Sequence, residues 1–130
     1  MRPWVKICGV TREVDVEACA AAGVDAIGLN FWRGSRRHVT LERARELVTA
    51  SAAAGGGPIP VGVFVDAGFE EILEACRVTG LGWVQLHGSE PARLVHRLQA
   101  VGLTVLRAVS VPSASPEVAH EAPAADLLLV

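Results

Sequence analysis

The sequence predicts an α/β protein whose strands form one parallel sheet. Short β-branched runs alternate with alanine- and glutamate-rich stretches of helical spacing, and successive strands begin roughly 20 residues apart, as expected for right-handed β-α-β units. Apolar residues make up 51% of the 130 residues, and the mean hydropathy is +0.37. This composition excludes a disordered chain and is typical of strands that are buried on both faces of a sheet.

The first half of the chain supplies three strands and two helices of this pattern. Val5 and Ile7 alternate with Lys6 and Cys8 in the first strand, and a glycine ends the helix that follows. The second helix has one apolar stripe with charged residues outside it, and Thr40 is its predicted N-cap. In chain order the elements are strand Trp4–Cys8, helix Glu13–Ala22, strand Ala26–Phe31, helix Leu41–Ala54 and strand Val61–Val65.

The second half continues the same alternation. Gly80 and Gly102 fall just past helix ends, as Gly23 does, where a left-handed cap is favoured. Pro91 suits a first helical turn, and Ser89 is the predicted N-cap before it. The elements are helix Phe69–Val78, strand Trp83–His87, helix Pro91–Ala100, strand Thr104–Val109, a short helix Ser115–Glu121 capped by Ser115, and strand Leu127–Val130. We expect residues 1–130 to form a single domain.

Side-chain alternation favours a closed (β/α)8 barrel over a doubly wound open sheet. One face of each strand is apolar and should pack on helices. The other face carries polar groups near the carboxyl ends of the strands, as at the mouth of a barrel. No G-x-G-x-x-G follows the first strand, which argues against a dinucleotide-binding open sheet. Because such a barrel takes roughly 200 residues or more, we expect a TIM barrel truncated after its sixth strand.

Charge and cysteine content exclude several classes of function. Twelve basic and fourteen acidic side chains give a net charge of −2, and scattered arginines form no nucleic-acid surface. The odd number of cysteines, without C-x-x-C spacing, argues against a disulfide framework and against a metal site. Glycines and prolines interrupt the long uncharged stretch between Glu46 and Asp66, so we expect no membrane span. These features predict a cytoplasmic protein.

Five short segments of the chain occur in a specific order. They are KICGVT at residues 6–11, AIGLNF at 26–31, SRR at 35–37, VGVFV at 61–65 and VQLHG at 84–88. Their order and separation resemble those of the phosphoribosylanthranilate isomerase family of tryptophan biosynthesis, and the resemblance covers the whole chain. The pairing of KICG with QLHG is specific, whereas either motif alone would be weak evidence.

The resemblance implies a (β/α)8 barrel and an Amadori rearrangement of N-(5-phosphoribosyl)anthranilate to 1-(2-carboxyphenylamino)-1-deoxyribulose 5-phosphate. A general acid protonates the furanose ring oxygen, the ring opens to a Schiff base, and a general base removes the C2′ proton. The resemblance implies Cys8 as the general base and Arg37 as the contact to the anthranilate part. It also implies Gln85 and His87 as lining of the substrate pocket. The substrate is a small phosphorylated molecule, and no cofactor or metal is implied.

The chemistry of the residues favours the same role for Cys8. A thiol acts as a base only as the thiolate, and the positive charge of Lys6, two residues earlier on the same strand face, would favour that form. Cys19 and Cys76 have the spacing of helix core positions instead. Arg37 follows the second strand, where a planar guanidinium could bind a substrate carboxylate through two hydrogen bonds.

The sequence does not settle the roles of four side chains at or near the ends of the strands. We expect Arg36 to be solvated, and His87 could be either a core histidine or a substrate contact. Asp66 could serve as an acid, but a carboxylate at the start of a helix is the favoured interpretation. Arg107 could point into the barrel beside a carboxylate.

The sequence departs from the family pattern at its last strand. The family's general acid is an aspartate at the end of the sixth strand, where this chain reads Leu127-Leu128-Leu129-Val130. The last two strands of such barrels supply the phosphate site. We therefore expect the isolated chain to be inactive and to self-associate through open sheet edges. Three alternatives stay open. They are another sugar-phosphate barrel enzyme, such as indole-glycerol-phosphate synthase; an open-sheet binding module that is non-catalytic; and a non-catalytic half-barrel that assembles with a partner chain.

Overall fold

Six parallel strands form one sheet in chain order. The computed structural model describes residues 2–108 and 127–129. The strands are β1 Lys6–Cys8, β2 Ala26–Asn30, β3 Ile59–Phe64, β4 Trp83–Leu86, β5 Thr104–Ala108 and β6 Leu127–Leu129, and the helices are α1 Glu13–Ala22, α2 Leu41–Ala53, α3 Phe69–Thr79 and α4 Ala92–Ala100. Each helix joins two neighbouring strands, which confirms the predicted β-α-β alternation. The predicted helix Ser115–Glu121, with Val109 and Val130, lies outside the described residues.

Two predicted strand starts are wrong, and the hydrogen bonds of Asp25 explain both. β1 begins at Lys6 and not at Trp4, because the backbone N–H of Val5 donates to the Asp25 carboxylate at 2.7 Å. β3 begins at Ile59, two residues earlier than predicted, because its N–H donates to the Asp25 carbonyl at 2.9 Å. Asp25 therefore fixes the entry of both strands that flank β2.

The helix ends follow the predicted capping chemistry at most positions. Thr40 accepts a hydrogen bond from the backbone N–H of Arg43 at 3.1 Å and caps α2. Gly23 and Gly80 adopt the left-handed conformation directly after α1 and α3. Ser89 is not the N-cap of α4, because the helix begins only at Ala92 and the backbone N–H of Ser89 donates to Asp66 instead.

The two faces of the sheet carry separate apolar clusters. The larger cluster lies between the sheet and the helices, and its fully buried members include Leu29, Phe64 and Leu86 from the strands. The smaller cluster lies on the opposite, inner face, where Ala26, Val61 and Leu106 are fully buried. Burying one such large aliphatic side chain contributes about 2 kcal/mol, so both faces support the sheet.

A stacked pair of tryptophans closes the amino-terminal end of the inner face. The rings of Trp4 and Trp83 lie 6.4 Å apart at an interplanar angle of 18°. Three strand spacings separate the lines of β1 and β4, about 14 Å if the sheet were flat. The stack across this distance indicates that the sheet curves inward, as the wall of a barrel does.

The outer face of β1 differs from the sequence prediction. Ile7 is 43% exposed and Val5 is 40% exposed, whereas Ile27 at the paired position of β2 is fully buried. The expectation that this face packs on helices in every strand is therefore wrong for β1. The reason is its position at the edge of the sheet, where no helix of the described residues covers it. None of the helices in the described part of the chain has the length and apolar character of a membrane span.

Candidate active site

Polar side chains gather where the parallel strands end. Because all six strands run the same way, the segments that follow them lie at one edge of the sheet. Cys8 ends β1, the loop with Arg37 follows β2, and His87 directly follows β4. The structure thus brings the predicted site residues to one mouth.

Lys6 and Cys8 share the inner face over Gly28. The register pairs Cys8 with Gly28, and a Cβ atom at Gly28 would lie 2.8 Å from the Cys8 Sγ and 3.0 Å from the Lys6 Nζ. The thiol and the ammonium group are therefore close neighbours, because the distance between the Cys8 Sγ and the Lys6 Nζ is at most the sum of these two distances. Only glycine leaves the space that they occupy, and the side chain of Cys8 remains open to solvent.

Arg37 lies against the turn that ends β1. Its Nη1 donates to the Cys8 carbonyl at 3.3 Å, and its Cδ and Nε lie 2.6 Å from where a Cβ at Gly9 would be. Gly9 has φ +79°, a left-handed conformation that suits glycine. The Ser35 hydroxyl accepts from the Arg37 N–H at 3.1 Å, so the loop itself presents the arginine. Arg36 is exposed, as expected.

Gln85 and His87 lie on the other side of the mouth. Gln85 is only 3% exposed on the inner face of β4, and its Oε1 has no hydrogen-bond partner among the described residues. His87 is exposed, which excludes the core-histidine interpretation, and its backbone N–H donates to the Phe64 carbonyl at 2.9 Å. In the sheet, β2 and β3 lie between these residues and Cys8.

Two carboxylates tie the loops after β3 and β4 together, and the sequence analysis missed this. The buried Glu90 accepts from the backbone N–H of Asp66 at 2.8 Å and from that of Gly88 at 2.9 Å. Asp66, at φ +52°, accepts from the Ser89 N–H at 2.7 Å. Asp66 is therefore not a helix-start carboxylate, because α3 begins only at Phe69.

Arg107 pairs with a carboxylate but does not point into the barrel. The register matches it with Leu86, on the helix-facing side of the sheet. Its Nη1 lies 3.7 Å from the Glu90 Oε1. The predicted carboxylate partner is confirmed and the predicted direction is wrong, because Leu106 and not Arg107 occupies the inner face.

Of the other two cysteines, Cys76 is buried and Cys19 is partly buried against the core. Burial raises the pKa of the Cys76 thiol to about 11. Burial, with a smaller contribution from the Asp15 charge, also raises the pKa of Cys19. Both thiols are therefore protonated at neutral pH. In the described ranges, no cluster of three or more histidine, cysteine or acidic side chains could hold a metal ion.

A cavity of about 760 Å³ lies between the loop after β2 and helix α3. Its lining includes Trp32, His38, Phe64 and Glu71, but none of the four predicted site residues. It is therefore separate from the mouth that Cys8 and Arg37 share.

Comparison with known proteins agrees with this geometry. The family model of N-(5'-phosphoribosyl)anthranilate isomerase matches residues 5–130. The chain belongs to this family. It is 42% identical over 127 residues to the N-(5'-phosphoribosyl)anthranilate isomerase of Rubrobacter xylanophilus, which covers 97% of this chain and 60% of that relative.

Solved structures of phosphoribosylanthranilate isomerases have the same fold. The enzyme from Thermus thermophilus superposes with a TM-score of 0.82 at 35% identity, over 99% of this chain and 62% of that one. An isomerase in complex with reduced 1-(o-carboxyphenylamino)-1-deoxyribulose 5-phosphate gives 0.78 at 35% identity, over 92% and 58%. The predicted α/β class and TIM-barrel architecture are confirmed, and the chain spans about 60% of the length of these relatives.

Proposed function

We propose that this chain carries the general base and the anthranilate-binding arginine of a phosphoribosylanthranilate isomerase active site. The whole site would convert N-(5-phosphoribosyl)anthranilate to 1-(2-carboxyphenylamino)-1-deoxyribulose 5-phosphate in tryptophan biosynthesis. The observation that carries the proposal is the grouping of Lys6, Cys8 and Arg37 around Gly9 and Gly28 at the mouth.

Cys8 is the proposed general base. After ring opening to the Schiff base, the Cys8 thiolate takes the C2′ proton; the C–H electron pair forms the C1′=C2′ bond, and the C=N pair returns to nitrogen. The resulting enol becomes the ketone as the 2′-hydroxyl loses its proton and C1′ gains one, so the product is an isomer of the substrate and no cofactor is needed. The Lys6 ammonium group lies beside the Cys8 thiol over Gly28.

Arg37, Gln85 and His87 are the proposed substrate contacts. Arg37 offers a planar guanidinium beside Cys8, which suits the anthranilate carboxylate. The Gln85 Oε1, buried without a partner among the described residues, is an acceptor for a hydroxyl of the substrate. His87, exposed directly after β4, lies where it can contact the substrate from the other side of the mouth.

Two further proposals concern the activity and the self-association of the 130-residue polypeptide made by itself. None of the described residues is assigned as the general acid or the phosphate anchor, so we expect the polypeptide made by itself not to turn over substrate. We also propose that it self-associates, because β1 is an open edge strand on which the Ile7 side chain is exposed. Three free cysteines suit the reducing cytoplasm, where we place the reaction.

A chimera tests the activity directly. Residues 1–130 would be fused to the remaining carboxyl-terminal part of the Rubrobacter xylanophilus relative, which this chain matches over 60% of its length. We expect the chimera to consume freshly made phosphoribosylanthranilate. The reaction is monitored by the loss of the fluorescence of this substrate. Cys8→Ala should lower kcat by roughly 10²- to 10⁴-fold, the usual contribution of a positioned base.

Cys19→Ala is the matched control, because this cysteine is partly buried in α1 and packs against the core, away from the mouth. It should leave kcat unchanged. A chimera that folds but has no activity, or a Cys8→Ala chimera with unchanged kcat, would overturn the proposal.

A further inference from the structure

Among the described residues, Glu90 has the most buried carboxylate, and the proposed reaction does not use it. Its side chain is 1% exposed, and each of its oxygens has a partner in a different loop. Oε2 accepts from the Asp66 N–H in the loop after β3, and Oε1 accepts from the Gly88 N–H in the loop after β4. A buried carboxylate requires such partners, and here they are loop amides at the mouth.

A second carboxylate strengthens the same connection from the opposite direction. The Asp66 Oδ1 accepts from the Ser89 N–H at 2.7 Å, so each loop supplies one carboxylate to the other. A Cβ at Gly88 would lie 2.5 Å from the Asp66 Oδ1, which means that only glycine permits this approach. The non-glycine left-handed conformation of Asp66 is maintained by these contacts.

The connected segment includes His87. The His87 N–H donates to Phe64 at 2.9 Å, and the next two amides donate to Glu90 and Asp66. The His87 and Ser89 amides are thereby fixed to β3 and the loop that follows it, and the Gly88 amide is fixed to Glu90 within its own loop. Arg107, near the end of β5, forms an ion pair with Glu90, with its Nη1 3.7 Å from the Glu90 Oε1.

We propose that Glu90 is a positioning residue: it holds the segment 87–89 so that His87 faces the substrate, and it touches no substrate itself. The proposal rests on the role of His87 in the proposed function. The isosteric Glu90→Gln replaces one acceptor oxygen by an NH₂ group, which faces an N–H donor and cannot accept from it. One of the two hydrogen bonds must then be lost, either that from Asp66 in the loop after β3 or that from Gly88 within the loop that contains Glu90.

Amide hydrogen exchange of the 130-residue chain tests the positioning without any activity. Glu90→Gln should speed exchange at Asp66 or Gly88, and at His87, by roughly tenfold or more. Glu70→Gln, the same change on an exposed residue of α3, should leave these amides unaffected. Unchanged exchange in Glu90→Gln overturns the proposal. If that variant does not fold, Asp66→Gly suits the left-handed backbone and should release the Ser89 and His87 amides in its place.

A double-mutant cycle in the chimera tests whether Glu90 acts through His87. Glu90→Gln should lower kcat/KM by roughly tenfold, and by less than twofold once His87 is alanine. Equal effects in both backgrounds would mean a general structural role and would overturn the inference while the isomerase proposal stands. An unsubstituted chimera without activity would overturn the proposed function and with it the effect of Glu90 on kcat/KM, whereas the exchange result would still decide whether Glu90 holds the segment 87–89.

Discussion

Arg37 is bound to the turn that carries Cys8: its guanidinium donates to the Cys8 carbonyl at 3.3 Å. The proposed carboxylate-binding group and the proposed base are thereby fixed to each other, although 28 residues lie between them in the chain. Their separation depends on one backbone conformation, that of Gly9, over which the arginine lies.

Gly9→Ala should displace Arg37 at little extra cost in stability. The added Cβ would meet the outer part of a flexible side chain, which can move away, so the main cost is the left-handed backbone, about 1 kcal/mol. Gly23→Ala is the matched control, with φ +76° and nothing within 4 Å of the added atom. Urea unfolding should show similar losses for both variants. Only Gly9→Ala should raise KM in the chimera; equal KM values would contradict the role of Arg37.

The local sequence pattern was sufficient to predict which residues lie together at the carboxyl ends of the first two strands. Cys8 and Lys6 share a face because strand side chains alternate, and that alternation is readable in the sequence. The placement of Arg37 followed from its position after a strand and from the family resemblance. Glu90 could not be recognised, because a glutamate before a helix has the same local pattern whether it is solvated or buried under two loops. The exposure of Ile7 was missed for a similar reason: it depends on which strand lies at the sheet edge.

Thiol labelling should distinguish the three cysteines. Cys8 is exposed, whereas burial raises the pKa of both Cys19 and Cys76, so their thiolate populations at pH 8 are small. We expect iodoacetamide to modify Cys8 first and Cys76 last. Peptide mass spectrometry at short reaction times measures the extent of labelling at each cysteine. Labelling of Cys76 at the rate of Cys8 would show that the interior is open, and equal rates at all three would favour a non-catalytic module.

Raising the pH should destabilise the fold through Cys76. Its pKa is about 11 in the folded chain, against 9.0 for the unperturbed thiol. Between these values the unfolded state has released the proton and the folded state has kept it, so the free energy of unfolding falls as pH rises from about 9 towards 11. Urea unfolding at pH 8, 9 and 10 should show this fall, and Cys76→Ala should make it shallower. An equal slope in both proteins would contradict the assignment.

Trp4 should stabilise the sheet although it lies outside β1. Its ring stacks on Trp83, and such aromatic pairs contribute about 1 kcal/mol beyond the area they bury. Trp4→Ala should therefore lower the free energy of unfolding by more than Trp32→Ala, which removes an indole of similar exposure without a stacked ring among the described residues. Equal losses in urea unfolding would show that the stack does not hold the amino-terminal end of the inner face.

Self-association of the 130-residue polypeptide should depend on the β1 edge. Ile7 is 43% exposed on an edge strand, and Val78 is 37% exposed on helix α3. Val78 is therefore a control of similar exposure that does not lie at the edge of the sheet. A lysine on a strand edge disfavours pairing between sheets. In sedimentation velocity, Ile7→Lys should shift the polypeptide towards the monomer, and Val78→Lys should leave the distribution nearly unchanged. A monomeric parent polypeptide would contradict the proposed association, and an equal shift by both lysines would show that added charge, rather than the edge, controls it.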